Sequence, residues 1–270
     1  MDNSAFIRIS VFLSIFAIMA VLEIWQPARQ STLSRLQRWK GNLGMVVLGA
    51  VCSKLVLPAS LVGVALWANS AGIGVFNNVD ISSWLAILLC IILLDIAIYW
   101  QHRLFHTIPL LWRFHKMHHA DSHVDTTTGL RFHPIEIVLS LFIKALVVIA
   151  FGVPAMAIVI FEVGLNGFAL FNHANIRLPQ KWDDKLGLFI ITQRLHRIHH
   201  SQKKEESNTN FGFSVSWWDK LFGSFKSRAE KSDEQIAIGQ FDYPPTKENA
   251  GIVALLKMPF DRKPQKPFLR

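Results

Sequence analysis

The chain writes HKMHH at residues 115–119 and HRIHH at 196–200, with HRLFH ahead of both at 102–106. All eleven histidines fall between His102 and His200, the remaining ones being His123, His133 in RFHP and His173 in FNHAN. Neutral imidazole is a ligand for iron, zinc, copper and nickel. Residues three or four apart on a helix share a face. His102 and His106 therefore project together, and in each HxxHH motif the first histidine shares a face with the fourth and fifth residues. One helical turn offers three imidazoles to one side. The pair and two triplets supply eight nitrogens, twice what a four-coordinate zinc takes, so the count points to two metals held together. A metal-buffering histidine tract would be low in complexity, whereas the residues between these histidines are apolar, aromatic and varied. His173 follows an apolar run and is aimed at the same end, which makes it a further ligand candidate. His123 and His133 are weaker candidates, because an isolated histidine more often caps a helix or sits at the surface.

The elements that must carry these groups are apolar. Hydrophobic residues make up 51% of the 270 residues and charged residues 17%, charge-poor for an ordinary soluble domain. Long apolar runs cover 5–25 (with Arg8 and Glu23 near its ends), 43–68 (with Lys54 and Pro58 inside) and 81–100. Each reaches the roughly twenty residues needed to cross a hydrocarbon core. The first is too long for a signal-peptide core and lacks a cleavage site. A fourth region, 135–171, is interrupted by FGVP at 151–154. Gly152 and Pro154 break it into halves of roughly 17 residues, the short limit for spanning; it is either a tilted hairpin of two spans or a re-entrant pair. The predicted fold is all-α, a multi-span membrane helix bundle of about four to five membrane helices with a helical cap carrying a histidine-rich di-metal site.

Loop charges orient the bundle. Residues 26–41 carry Arg29, Arg35, Arg38 and Lys40, while 69–80 has no Lys or Arg. The positive-inside rule puts the first loop in the cytoplasm, and counting crossings returns 101–134, and 172 onward if the pair is a hairpin, to that face. The expectation is an integral, multi-pass protein of a bacterial inner membrane or equivalent, its histidine site cytoplasmic. The net charge of +9 then reads as basic loops against anionic lipid, not as a nucleic-acid surface. Tyr99, Trp100 and Trp112 fit an interfacial aromatic belt. Cys52 and Cys90 lie in apolar stretches without a CxxC partner and read as small buried hydrophobes. Residues 186–195 and 252–260 are short amphipathic segments for the membrane face, 226–250 reads as a solvated loop, and 261–270 as a loose end. The domain reading is N-terminal membrane helices over 1–100, a catalytic core over 101–226 that includes the helix pair, and a cytoplasmic tail over 227–270.

The segments HRLFH, LWRFHKMHHAD, RFHPIE, NHANIRLP, HRIHHSQ and NFGFSVSWWDKLFGSF together resemble the fatty acid hydroxylase superfamily, also called the sterol desaturase family, whose members are integral membrane non-haem di-iron enzymes. The resemblance covers about residues 90–226. It implies that His102, His106, His115, His118, His119, His196, His199 and His200 bind a catalytic pair of iron ions, with His173 added from the NH segment. LWRFHKMHHAD and RFHP lean toward the branch containing alkylglycerol monooxygenase and its bacterial relatives. The chain departs from the pattern at Gln193, where relatives often have proline, and at Phe211 in Asn210-Phe211-Gly212, where they often have tyrosine; neither departure removes a ligand. The implied reaction takes O2 as co-substrate and hydroxylates or desaturates a C–H bond of a lipid from the bilayer, such as a fatty acyl chain, sterol or ether lipid, with the 135–171 pair as a wall of its channel. Electrons come from a separate reductase, ferredoxin or cytochrome b5-like carrier, because the chain has no GxGxxG fingerprint and no haem attachment motif. Asp95, an acid deep in an apolar run, is a candidate for orienting an imidazole from outside the ligand set; Asn172 and Asp121 are weaker ones. The competing class is a membrane metal-binding or metal-transport protein without oxygenase activity. Transporters place their ligands near the bilayer midplane, whereas these histidines follow the spans. A bis-histidine haem carrier would need isolated pairs within facing spans.

Overall fold

The protein is described over residues 3–261 by a computed structural model. The end expected to be loose lies, beyond Asp261, outside the described residues. Helix α1 (Asn3–Trp25) is followed by a polar turn and α2 (Arg35–Val56), whose N-cap Ser34 accepts the Gln37 N–H at 3.3 Å. Helix α2 stops short of Pro58, and Ser60 caps α3 (Leu61–Ser70). The run 43–68 is thus two helices rather than one, because proline disfavours helical backbone at the residue before it and cannot donate the next helical hydrogen bond.

Helix α4 (Ser83–Thr107) continues past residue 100 and carries HRLFH on its last turns. Pro109 opens α5 (Pro109–His119) at the position where a missing N–H costs nothing. Helix α5 packs back against α4, which lays HKMHH beside HRLFH. Helix α6 (Pro134–Phe151) starts at His133, whose ring accepts the Ile135 N–H at 3.2 Å. It ends at Gly152, in the left-handed region at φ 65°, a conformation glycine adopts without a Cβ penalty. Helix α7 (Ala155–His173) follows. The interrupted region is therefore two separate helices, and both are long and apolar enough to cross a membrane. Five such stretches occur among the described residues, α2 and α3 together making one of them. Short helices α8 (Gln180–Leu186), α9 (Gln193–His199), α10 (Lys204–Ser207), α11 (Trp217–Leu221) and α12 (Ile252–Lys257) form the cap; no strand occurs among the described residues.

Cys90, Leu94 and Ile98 of α4 pack with Val148 of α6 and with Ala157, Ile158 and Phe161 of α7 in a buried core that α3 joins. Leu13, Ile24, Trp84, Leu88, Leu146 and Met156 point outward, the apolar perimeter of a bundle solvated by lipid. Cys90 is buried and Cys52 half-buried, both free thiols. In the cap, Leu188 and Phe189 are exposed beside Trp182, Trp217 and Leu221, consistent with a segment that lies on the membrane face. The other amphipathic segment is docked instead: Leu255 and Met258 are buried with Met45 of α2 and Met117 of α5. The stretch 226–250 is not simply a solvated loop. Ile236 and Ile238 form a small core with Val124 and Ile198, and Asp233 pairs with Arg197 at 2.7 Å.

The loop after HKMHH is held by a buried ionic network. Arg38 of α2 reaches both Asp121 and Asp125, its Nε and Nη2 contacting the two Asp121 oxygens at 3.2 and 2.9 Å. Thr128 donates to Asp121 at 2.8 Å, and Asn42 donates to Thr127 at 2.9 Å. Burial alone would raise the Asp121 pKa, but Arg38 and then Arg131 hold it well below the usual carboxylate range. Removing one member of a buried pair strands the other charge. Arg38→Ala is therefore expected to lose about 3–5 kcal/mol of stability, read as a lowered melting temperature in detergent. Arg38→Lys should recover only part of it, because an ammonium lacks the two-pronged geometry.

Candidate metal centre

Nine histidines converge at one end of the bundle in two groups. His102, His106, His115, His119 and His199 form one; His118, His173, His196 and His200 form the other, with ligand atoms in each group within 4.8 Å of one another. Each HxxHH motif is divided between them. His115 and His119 stay together while His118 crosses to the second group; His196 and His200 stay together while His199 crosses to the first. Helix geometry explains the split: residues four apart differ by about 40° around the axis, whereas adjacent residues differ by about 100°. The sequence expectation of three imidazoles on one side is thus corrected to two plus one.

The ring nitrogens facing inward are Nε2. His102 Nε2 lies 3.1 Å from that of His115 and 3.0 Å from that of His199, and His106 lies 3.1 Å from His119. In the second group the spacings are 3.2 Å for His173–His118, 2.8 Å for His196–His173 and 3.2 Å for His200–His196. Two nitrogens bound at right angles to one ion, each about 2.1 Å from it, are about 3.0 Å apart.

The outward nitrogens decide what the inward ones are. His102 Nδ1 donates to the Phe211 carbonyl at 2.7 Å, and His199 Nδ1 to the Thr209 carbonyl at 2.8 Å. A carbonyl only accepts, so both Nδ1 atoms carry the proton and both Nε2 atoms carry lone pairs. Those lone pairs face each other at 3.0 Å, where no hydrogen bond between them is available and a cation reconciles them. His173 Nδ1 is fixed in the same way by the Ala169 carbonyl at 2.7 Å. His115 Nδ1 meets Glu136 Oε1 at 2.7 Å, and His106 Nδ1 meets the Asn208 side-chain oxygen at 3.3 Å. Burial, and then the neighbouring imidazoles, hold His115, His118, His119, His196 and His200 well below the ordinary histidine value, and burial does the same for His199. Neutral rings are the form that binds metal; the inward lone pair is fixed by an outward carbonyl at His102, His173 and His199, while the outward Nδ1 atoms of His118, His119, His196 and His200 are buried without a hydrogen-bond partner. The donor set fits a pair of metal ions.

Several supports of the site lie outside the histidine motifs. Asp219 accepts the Phe211 and Gly212 N–H groups, each at 2.8 Å, and so holds the carbonyl that orients His102. Asn210, in the left-handed region at φ 52°, donates to the Leu195 and Lys226 carbonyls at 3.0 and 2.9 Å. Histidine spacing does not point to Glu136 or Asp219, although both sit in segments that carry the family resemblance, RFHPIE and SWWDKLFG. Their signal was a buried-type acid within an apolar, aromatic surrounding. The Phe211 ring packs edge-on to His106 and His199 at 5.2 and 5.7 Å between centroids. Gln193 donates to the Phe171 carbonyl at 2.9 Å, which ties the start of α9 to α7.

Other candidates lie elsewhere. Asp95 accepts the Trp218 indole N–H at 2.7 Å and orients no imidazole; it fastens α11 to α4. Asp121 serves the Arg38 network. Asn172 donates to the Phe213 carbonyl at 2.9 Å, an interhelix tie rather than a histidine contact. His123 contacts Asn175 at 3.3 Å and His133 caps α6; neither joins a histidine group. A largely apolar cavity of about 320 Å³ abuts the site, reaching His102 and His115 and walled by Phe12, Met45, Ile98, Phe105 and Leu165 among others.

The fatty acid hydroxylase family model matches residues 87–224, which contain all nine of these histidines. Ornithine lipid hydroxylase of Rhizobium tropici is 30% identical over 183 residues, 68% of this chain and 53% of that protein. Alkylglycerol monooxygenase of Homo sapiens is 28% identical over 141 residues, 51% of this chain and 30% of that protein. Cholesterol 25-hydroxylase of Rattus norvegicus is 27% identical over 173 residues, 59% of this chain and 53% of that protein. The chain thus spans about half the length of the first and third and about a third of the second. No solved structure matches.

A Cβ on Gly129 would come within 2.5 Å of the Ala169 carbonyl, the acceptor that fixes His173. Gly129→Ala and His118→Ala are each expected to lose about half the bound metal, since each disturbs one ligand group only. The double variant His118→Ala/His199→Ala should bind almost none. Elemental analysis checks this against retained helical circular dichroism, and full metal content in the double variant would overturn the ligand assignment.

Proposed function

The chain belongs to the fatty acid hydroxylase family, and from that premise we propose that it is a membrane-bound non-haem di-iron oxygenase that hydroxylates a C–H bond of a lipid. The observation that carries the reading is the His102–His199 pair, whose tautomers are fixed by two carbonyls so that their lone pairs converge. The names of the relatives, an ornithine lipid hydroxylase, an alkylglycerol monooxygenase and a cholesterol 25-hydroxylase, support lipid hydroxylation as the reaction class. Bound iron would supply O2 activation and the attack on an unactivated C–H bond. In the balanced reaction one oxygen atom enters the C–H bond and the other leaves as water, with two electrons from an external donor and two protons. Removal of two hydrogens to leave a double bond is the desaturating outcome of the same chemistry.

The chain's own residues have distinct tasks. His102, His106, His115, His119 and His199 would hold one iron, and His118, His173, His196 and His200 the other. Neutral imidazoles leave the ions more positive than the Glu-rich sites of soluble di-iron bundles do. The carbonyls of Phe211, Thr209 and Ala169 keep each proton on the outward nitrogen. The cavity between α1, α2, α4, α6 and α7 receives the lipid from the bilayer, excludes water and presents it to His102 and His115. The basic 26–41 loop sets the histidine end at the cytoplasmic face of a bacterial inner membrane or its equivalent, where a soluble reductase, ferredoxin or cytochrome b5-like carrier can deliver electrons. Metal transport is disfavoured by placement: the ligands sit at the ends of α4 and α7 rather than at the midplane.

Purified protein should contain two irons per chain and consume oxygen when given a reductant and a lipid extract. Mass spectrometry of lipids from cells with and without the protein should show a species heavier by one oxygen, or lighter by two hydrogens. Oxygen uptake that is equal in the presence and absence of lipid, with no shifted species, would overturn the proposal.

A further inference from the structure

The cavity is largely apolar but carries a polar stripe along α6, with Asn166 facing it from α7. Glu136, Ser140 and Lys144 line it from α6, four residues apart and so on one helical face. Gln101 of α4 also lines it, next to His102. Glu136 spends one oxygen on His115; its other oxygen, Oε2, is buried without a hydrogen-bond partner, as is Gln101 Oε1. Two acceptors are therefore unsatisfied at the metal end of the cavity. Lys144 lies two turns further along α6, about 12 Å by helical rise, within a helix apolar enough to cross the membrane. Glu162 of α7 pairs with Arg8 and also acts on Lys144 as a counter-charge, but no hydrogen bond joins Lys144 to Glu162. An ammonium at such depth is costly and faces a functional cavity by default. A hydrocarbon chain would leave both acceptors unpaired, which a buried site tolerates poorly, and a sterol, with a single hydroxyl, would bring no anionic or carbonyl oxygen to Lys144.

The geometry points to an acyl lipid that brings a hydrogen-bond donor, a hydroxyl, amide N–H or amine, to Glu136 and Gln101, and a carboxylate, ester or amide oxygen to Lys144. The carbon oxidised is then one beside the lipid's polar end, and the remaining hydrocarbon occupies the apolar walls. This rests on the oxygenase reading for the reaction but on the cavity alone for the ligand.

Binding separates the two. The iron-loaded full chain in detergent is given N-hexadecanoyl serine, hexadecane or cholesterol, and bound ligand is measured by equilibrium dialysis. N-hexadecanoyl serine should bind at least about tenfold tighter than hexadecane or cholesterol, Lys144→Met should remove about tenfold of that affinity, and Lys144→Arg should keep most of it. Where turnover occurs, tandem mass spectrometry should find the new oxygen on the head-group fragments. Equal or tighter binding of hexadecane or cholesterol, a folded Lys144→Met protein with unchanged affinity, or oxygen placed far down the chain would each overturn the proposal. If Lys144→Met does not fold, the wild-type ranking and Lys144→Arg decide. Discrimination among the ligands without oxygen uptake would sink the oxygenase reading and support this one.

Discussion

The histidine end is organised around three rings, His102, His173 and His199, whose outer nitrogens are each made to keep a proton by a main-chain carbonyl. An imidazole has two nitrogens and one proton to distribute between them in its neutral form. Where the outer nitrogen faces a carbonyl, the proton has one acceptable place, and the inner lone pair becomes a ligand without any charge having to be neutralised. Burial then removes the alternative of protonating the ring altogether. The same low-polarity surroundings that would punish an imidazolium make converging lone pairs an affinity for cations.

The fold can be understood as the apparatus that supplies those carbonyls and brings the rings together. Two come from the 209–211 stretch, which Asp219 and Asn210 hold in place, and one from the interior of α7, four residues before His173. Pro109 turns α5 back along α4, and the Gly152 turn sends α7 back along the bundle toward the histidine end. The Arg38 network clamps the loop between α5 and α6 so that Gly129 can press against α7. A side chain at 129 would occupy the space of the very carbonyl His173 needs.

Much of this was legible in the residues. Apolar run length located the spans, imidazole spacing picked out eight of the nine histidines that converge, and the end of an apolar run picked out His173. What spacing could not show is how one turn divides its rings, because a shared face is a coarse notion: rings about 100° apart join different histidine groups once a second helix stands opposite. The break at Pro58 was visible as a residue but masked by the continuous hydropathy around it. Asp95 misled because depth in an apolar run signals function without naming a partner, and its partner was an indole delivered from residue 218, far along the chain. The reach of Arg38 to Asp121 and Asp125 is likewise a long-range fact that no local pattern announces. Residues 226–250 look solvated by composition because the few apolar side chains that anchor them, Ile236 and Ile238, are outnumbered by charges.

That three rings donate their Nδ1 protons to main-chain oxygens has a consequence for how such a site can drift. A backbone carbonyl is present whatever side chain it carries, so residues 169, 209 and 211 are free to change identity while the tautomers stay fixed. Phe211 shows the division of labour: its ring packs against His106 and His199, while its carbonyl, not its ring, orients His102. Variation at these positions can reshape the surroundings of the histidine cluster while the tautomers of His102, His173 and His199 stay fixed, so the cavity beside it can be refitted without disturbing the cluster.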